Sequence, residues 1–198
     1  MEGRDILLLG LASTVLVLYL VVAFNNDFFC DGDAHGSFTE LSLHGMTTKY
    51  SSKDFRSQLQ SKGVSDKFTL YFSLANSFLI ITFSNMIIVV VFLSTMVAWK
   101  YISCLKKLNW SPTKSLKFPL GASCTALIIA LASIVLFHIG WPLAKDVLST
   151  AYNVSFKLCV DFYLFWVAIF FHFIFTFVLF LRYSISKGSG NGAYTFVA

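Results

Sequence analysis

The sequence predicts an all-α integral membrane protein, a four-transmembrane-helix bundle with a long first extracellular loop. Two observations predict this class. Hydrophobic residues make up 57% of the 198 residues and charged residues only 13%, which is not the composition of a soluble domain. Four nearly uncharged runs, at about 6–24, 68–99, 118–141 and 160–181, are each long enough to cross a hydrocarbon core of about 30 Å.

The first apolar run could also be a secretory signal peptide, because it begins close behind Arg4. It is rich in Leu and Val throughout, and the polar residues 25–27 follow it in place of a small-x-small cleavage site. We therefore expect a retained helix. The polar stretch 25–67 is too short to bury a core of its own, so residues 1–198 are expected to form one membrane domain.

The link between the second and third runs, residues 100–117, predicts the orientation of the chain. It contains five lysines and no acidic residue: Lys100, Lys106, Lys107, Lys114 and Lys117. Basic loops stay in the cytosol, so both termini and the tail 184–198, a flexible segment, are expected to be cytoplasmic. Residues 25–67 and 142–159 then form extracellular loops, and the plasma membrane is the expected location. Anionic inner-leaflet lipid accounts for the net charge of +5 without any nucleic acid.

Small residues in the third run predict where helices pack closely. Ala122, Ala126 and Ala130 recur at four-residue spacing, which places them on one face of a helix. Small residues let two backbones approach within a membrane. We expect this face to lie at the centre of the bundle.

Four polar side chains within the apolar runs are candidate functional groups, because a polar group in hydrocarbon needs a partner. Asn76 and Asn85 lie in the second run, and His172 lies in the middle of the fourth. His172 could relay protons, bind a metal or form a hydrogen bond between helices, and we favour the hydrogen bond. His138 lies beside Trp141, so we place it at the membrane interface.

The segment "FFCDGDAHG", which follows the first run, raises three possibilities. A calcium loop fails at its twelfth position, which is Ser42 instead of Glu. A zinc site through Cys30, His35 and an aspartate would leave a thiol exposed on an oxidising face. We favour a disulfide between Cys30 and Cys159, the one other cysteine on the outer side, with Asp31, Asp33 and His35 as solvated turn residues.

Two glycosylation sequons occur, at Asn109 and Asn153. The expected threading puts only Asn153 outside, and there it lies close to the fourth run. We therefore expect partial occupancy of Asn153 or none.

The order of four spans with the large loop first resembles the threading of claudins, the peripheral myelin protein group and the related auxiliary subunits of glutamate receptors and calcium channels. Claudin-type first loops carry a Trp and a pair of cysteines, whereas the first loop here departs from that pattern, with no Trp and a single cysteine, Cys30. The stretch "FFCDGDAHGSFTEL" is also similar to the start of the first loop of transmembrane protein 179. These resemblances imply a junction component or an auxiliary subunit.

The chain contains no motif that indicates catalysis. Paired metal-spaced histidines, a Cys-x-x-Cys and a glycine-rich phosphate loop are all missing from the sequence, so we expect no cofactor and no metal. We predict a non-enzymatic protein that acts by contact with a membrane-protein partner or with further copies of itself, through the outer loop and its helix faces. The alternatives are a small oligomeric pore-forming subunit and, less favoured, a membrane-embedded enzyme.

The predicted threading is tested by labelling intact cells with a membrane-impermeant amine reagent. Lys53 should react because it lies outside, and Lys106 should react only after the membrane is permeabilised. The reverse pattern would overturn the orientation.

Overall fold

The computed structural model describes residues 2–25, 29–31, 34–36, 43–44, 66–101, 112–152 and 157–192. These residues are almost entirely helical, with a small sheet at one end. In chain order the elements are α1 (Glu2–Asn25), β1 (Phe29–Asp31), β2 (Ala34–Gly36), β3 (Leu43–His44), α2 (Asp66–Tyr101), α3 (Pro112–Tyr152), β4 (Lys157–Leu158) and α4 (Val160–Gly192).

All four helices are long and apolar enough to cross a membrane. The candidate spans are Asp5–Phe24, Leu74–Trp99, Leu116–Pro142 and Val160–Lys187. This confirms the prediction of four membrane-spanning helices. Most of the first loop, 25–67, and the middle of 100–117 lie outside the described residues, so the sidedness of both remains a prediction.

The helices are longer than the hydropathy pattern indicates. α3 has 41 residues, or about 60 Å of helix, against a hydrocarbon core of about 30 Å. It continues to Tyr152, through much of the segment 142–159 that the sequence assigns to a loop. α4 likewise continues to Gly192, into the segment expected to be a flexible tail. Hydropathy indicates which residues can contact lipid. A helix is defined by its backbone hydrogen bonds, and these can continue beyond the apolar residues.

The four helices form a ring in which each packs against two neighbours. α1 contacts α2 and α4, and α3 contacts α2 and α4, with α2 and α3 forming the most extensive pair. Tyr19 meets His172 near one end of α1, and Asp5 meets Arg182 near the other. α1 and α4 are therefore antiparallel.

Buried side chains recur three and four residues apart along each helix. In α1 they are Leu8, Ala12, Val15, Tyr19 and Val22. In α2 they are Ala75, Leu79, Thr82, Met86, Val89 and Leu93. Intervals that alternate between four and three residues are the pattern of left-handed helix packing, as in coiled coils and most transmembrane bundles.

The outer surface of the bundle is apolar and carries many aromatic rings. In α4 the exposed rings include Tyr163, Trp166, Phe170, Phe173, Phe177 and Phe180. Large apolar side chains on the outside would be costly in water, but they are the expected contact surface for acyl chains. The lipid bilayer is therefore a partner of this chain.

The small residues of α3 lie against α2. Ala126 and Ala130 are fully buried, and Ala122 is half-buried against the core. Two side-chain hydroxyls cross this interface to backbone carbonyls. Thr82 Oγ1 donates to the carbonyl of Ala126 over 3.4 Å, and Ser133 Oγ donates to the carbonyl of Ala75 over 2.7 Å. Such contacts with main-chain atoms require the two backbones to approach closely.

A four-stranded antiparallel sheet of order β3-β2-β1-β4 lies at the end of the bundle where α1 ends and α4 begins. Phe29 pairs with Gly36 on one side of β1 and with Leu158 on the other. The first loop is thus joined by backbone pairing to the residues before α4. Of the three predicted turn residues, Asp31 and His35 are instead in paired strands, and Asp33 lies outside the described residues. A hairpin with a short connection places residues next to a turn in its strands.

The pairing of β1 with β4 bears on the predicted Cys30–Cys159 disulfide. Cys30 is opposite Lys157 in the register, and Cys159 follows two residues later as a buried residue. Cys159, one residue past β4, is thus diagonal to Cys30 across the β1–β4 pair, which places the two cysteines near each other. The bridge remains a prediction.

Thiol counting tests this disulfide. Of the four cysteines, two should react with maleimide in the unreduced, denatured protein, and Cys30→Ser should raise the count to three because Cys159 loses its partner. Four reactive thiols in the wild type would contradict the bridge.

Candidate functional site

His172, the polar residue that the sequence places deepest in the membrane, is fully buried between three helices. Its Nδ1 lies 3.0 Å from Tyr19 Oη on α1, and its Nε2 lies 3.2 Å from Ser123 Oγ on α3. Both ring nitrogens therefore have partners on different helices. This geometry matches the role favoured for His172 from the sequence, a side chain that hydrogen-bonds to other helices.

Thr176, one turn after His172, extends the cluster. Its Oγ1 lies 2.7 Å from Ser123 Oγ and donates to the backbone carbonyl of His172 over 2.9 Å. Thr176 is 8% exposed and Ser123 is fully buried. We call Tyr19, Ser123, His172 and Thr176 the intramembrane cluster.

The distances in the intramembrane cluster are consistent with one assignment of every proton. Thr176 has one hydroxyl proton, which goes to the His172 carbonyl, so Thr176 accepts from the Ser123 hydroxyl. Ser123 then accepts from His172 Nε2–H, which leaves Nδ1 as the acceptor for the Tyr19 hydroxyl. His172 is thereby neutral, with its proton on Nε2, and each donor in the cluster has an acceptor.

Aromatic rings surround the cluster and exclude water. The ring of Tyr19 meets that of Phe165 edge to face at 6.2 Å and that of His172 at 5.7 Å. Phe175 lies 6.5 Å from the His172 ring. Hydrogen bonds gain strength in such apolar surroundings, and an unpaired polar group there becomes costly. The cluster therefore holds α1, α3 and α4 in one arrangement.

A second polar contact between α1 and α4 lies near the opposite end of the pair. Arg182 Nη2 lies 3.4 Å from Asp5 Oδ1, and both side chains are 16% exposed. Arg182 Nε is buried and has no hydrogen-bond partner within the described parts of the chain. The ion pair and the cluster together fix α1 against α4 at two levels.

The remaining polar residues that the sequence singles out lie elsewhere. Asn76 and Asn85 are half-buried on α2, a helix that contributes no residue to the cluster. His138 is exposed between α3 and α4, where its ring meets Phe162 edge to face at 5.2 Å and Trp166 at 6.0 Å. Asn109 and Asn153 lie outside the described residues.

Sequence reasoning found His172 but not its partners. Tyr19, Ser123 and Thr176 give almost no signal, because hydroxyl side chains are common in transmembrane helices and can bond to their own backbone. Asp5 and Arg182 do give one. Opposite charges directly flank the first and last apolar runs, and antiparallel helices bring such positions to the same depth.

The cluster could in principle bind a cation or carry protons, but its geometry is that of a closed hydrogen-bond chain. The imidazole nitrogens are both used, and the chain ends on the carbonyl of His172 itself. Among the described residues no group of three His, Cys, Asp or Glu side chains comes together to hold a metal ion.

These features define a class, the multi-pass α-helical membrane proteins whose interior polar groups hydrogen-bond across helices. Comparisons of the chain with protein-family models, curated proteins and solved structures found no match. Membership of the claudin-type group or of the transmembrane protein 179 group therefore remains a prediction.

Removing the Tyr19 hydroxyl tests the cluster. Tyr19→Phe should lower the free energy of unfolding by about 1–2 kcal/mol, because His172 Nδ1 is left without a donor in an apolar site. Unfolding in mixed detergent micelles measures this. Tyr163→Phe, on the exposed face of α4, is the matched control and should change stability by less than about 0.5 kcal/mol. Equal effects of the two substitutions would contradict a structural role for the cluster.

Proposed function

We propose that this chain is a non-enzymatic membrane protein that acts by contact with other proteins, as an adhesion or barrier component or as an accessory subunit of a channel or receptor. The observation that carries the proposal is the small sheet. It joins strands of the first loop to β4, directly before α4, and so attaches that loop to one end of the bundle.

Rigidity of the support favours recognition. β1 follows α1 after three residues, and β4 precedes α4 by one residue. α1 and α4 are held together by the His172–Tyr19 hydrogen bond and by the Asp5–Arg182 ion pair. A loop presented from a fixed base loses less conformational entropy when it binds, which strengthens association.

The intramembrane cluster also favours contact over chemistry. A proton shuttle needs a chain of donors and acceptors that leads to water, and a catalytic histidine needs a nitrogen available to the substrate. Both nitrogens of His172 are engaged by side chains of other helices. The group is therefore best suited to fixing helix positions.

The setting of this function is part of the same proposal. The segment 100–117 contains five lysines and no acidic residue, which favours a cytosolic position for that link. Both termini would then be cytosolic, and the sheet would lie outside. The plasma membrane is then the site of action, and the first loop faces a neighbouring protein or cell. The proposed likeness to claudin-type proteins and auxiliary subunits rests on this threading.

A loop replacement tests the proposal. Residues 45–64, between β3 and α2, are exchanged for a Gly/Ser segment of equal length, which keeps all four strands. A matched control exchanges 102–111, on the other side of the bundle. After mild-detergent purification from native membranes, the wild type and the control should retain a stoichiometric membrane-protein partner and the first variant should lose it.

Two results would contradict the proposal. The first is equal retention of the partner by the variant that lacks 45–64. The second is ion conduction by the purified wild type alone in lipid vesicles, which would favour the pore-forming alternative. We expect no ion conduction in the vesicles, and a partner whose retention depends on residues 45–64.

A further inference from the structure

Two rows of residues that cross the small sheet lie on its opposite faces. Residues directly opposite each other in antiparallel strands share a face, and successive residues along a strand alternate between faces. In the strand order β3, β2, β1, β4, the first row consists of Leu43, Gly36, Phe29 and Leu158. The second row consists of His44, His35, Cys30 and Lys157. The first row is apolar, and the second contains the polar residues.

Strand β4 shows which of the two rows faces water. Leu158 is half-buried and packs against the apolar core of the bundle, whereas Lys157 is exposed. The row of Leu158 is therefore on the face toward the helices, and the row of Lys157 is on the face toward solvent. His35 and His44 belong to the second row, which a dissolved ion can reach.

Two of the four histidines of the chain are direct neighbours in this row. His35 of β2 is opposite His44 of β3. Directly opposite residues have Cβ atoms about 4.5–5.5 Å apart. Since a zinc–nitrogen bond is about 2.0–2.1 Å long, two imidazoles at such positions can bind one ion between them. Strand pairing creates this pair, so a search of the sequence for closely spaced histidines does not detect it.

The register also changes the zinc site that the sequence suggests. Asp31 follows Cys30 along β1 and is therefore on the opposite face from His35. The residue beside His35 on its own face is His44. A pair of histidines needs no thiol, so a metal ion and the predicted Cys30–Cys159 disulfide use different residues and can coexist.

We propose that His35 and His44 form a binding site for a divalent transition-metal ion that prefers imidazole, such as Zn²⁺. Imidazole nitrogen suits zinc, copper and nickel, whereas calcium and magnesium prefer oxygen ligands. Two histidines leave the remaining coordination positions of the ion to water, so the site is open. A site with two protein ligands is consistent with the lack, among the described residues, of any group of three metal-binding side chains.

The charges along the row permit a cation at this pair. Lys157 is two strands away from His35, or about 10 Å at a strand spacing of about 4.8 Å. On a face toward solvent, physiological salt largely screens repulsion over that distance. Cys30 lies between the lysine and the pair and carries no charge in the predicted disulfide.

A bound ion stabilises the edge of the sheet. β3 has only two residues and lies at the end of the strand order, so few backbone hydrogen bonds hold it. The ion joins β3 to β2 through His44 and His35. Because the ion binds the paired strands in preference to separated ones, it shifts the equilibrium toward the paired state.

This inference goes beyond the proposed function and does not depend on it. The loop replacement at 45–64 keeps both histidines, and substitution of the histidines keeps residues 45–64. Loss of a protein partner and loss of the metal ion are therefore separate results.

Zinc binding by the purified full-length protein tests the site. In competition with a chromogenic chelator, the wild type should bind one Zn²⁺ per chain, which excess Ca²⁺ or Mg²⁺ should not displace. His35→Ala and His44→Ala should each weaken binding by at least about tenfold, since even loss of an outer-shell partner costs that much. His138→Ala removes an exposed histidine of α3 and is the matched control, which should bind zinc like the wild type. A wild type that binds no zinc, or equal loss in the control, would overturn the proposal.

Two cysteine variants separate this site from one that uses the thiol. Cys30→Ser and Cys159→Ser both remove the predicted disulfide, but only the first removes Cys30. Both variants should retain zinc, because the histidines are the ligands. Loss of zinc in Cys30→Ser but not in Cys159→Ser would identify the thiol as a ligand and overturn the two-histidine site.

Electron paramagnetic resonance with Cu²⁺ as the probe counts the nitrogen ligands directly. The wild type should show splitting from two imidazole nitrogens, and His44→Ala should lose this two-nitrogen pattern. Far-UV circular dichroism should show the same helix content in both proteins, because the substitution lies outside the helical bundle. A two-nitrogen pattern that persists in His44→Ala would overturn the pair.

Discussion

A polar group inside the hydrocarbon is costly unless it has a hydrogen-bond partner within the protein, and this constraint organises the bundle. Hydroxyls that face outward, such as those of Thr14 and Thr125, donate to carbonyls one turn earlier on their own helix. Hydroxyls that face inward also contact another helix, and Thr176 does both, since it donates to its own helix and accepts from Ser123 on α3. Ser133 reaches the backbone of α2, and Tyr19 reaches His172 on α4. The direction in which a polar side chain points thus decides whether it can join two helices.

Two kinds of contact between helices stabilise the ring. α2 and α3 meet through small residues, where Ala126 and Ala130 allow the backbones to approach and two hydroxyls bond to main-chain carbonyls. α1 and α4 meet through larger groups, with the intramembrane cluster at one level and the Asp5–Arg182 pair at another. α3 also joins the second contact through Ser123. The α2–α3 side of the ring is therefore held by close packing of small residues with two hydroxyl-to-backbone bonds, and the α1–α4 side by larger polar side chains. α3 takes part in both.

The number and type of helices follow from the sequence because apolar length is a direct measure of what a bilayer accepts. The depth of His172 could be predicted for the same reason. The ends of α3 and α4 could not be predicted. Outside the membrane a polar segment can be a helix or a loop, and hydropathy does not distinguish the two. The strand positions of Asp31 and His35 were also beyond reach, because the Asp- and Gly-rich segment around them has the composition of a turn, although Asp31 pairs with Ala34 and His35 with Cys30 in a local hairpin.

The partners of His172 show a different limit. Which hydroxyl reaches the imidazole depends on the rotation of α1 and α3 about their axes, and that rotation is fixed by packing of the whole bundle. No local pattern distinguishes Ser123 from Ser133, although the first bonds to α4 and the second to α2. The sequence can therefore identify the imidazole at depth without identifying the hydroxyls that bond to it.

The pairing of the first helix with the last sets an order of events during synthesis. Tyr19 and His172 are 153 residues apart, and Asp5 and Arg182 are 177 apart. While the middle of the chain is being made, α1 is already in the membrane with its tyrosine and aspartate unmatched. The ring closes only when α4 has been synthesised. A nascent chain that stops before α4 would thus display polar groups within the bilayer, a feature by which the cell can recognise and remove incomplete copies.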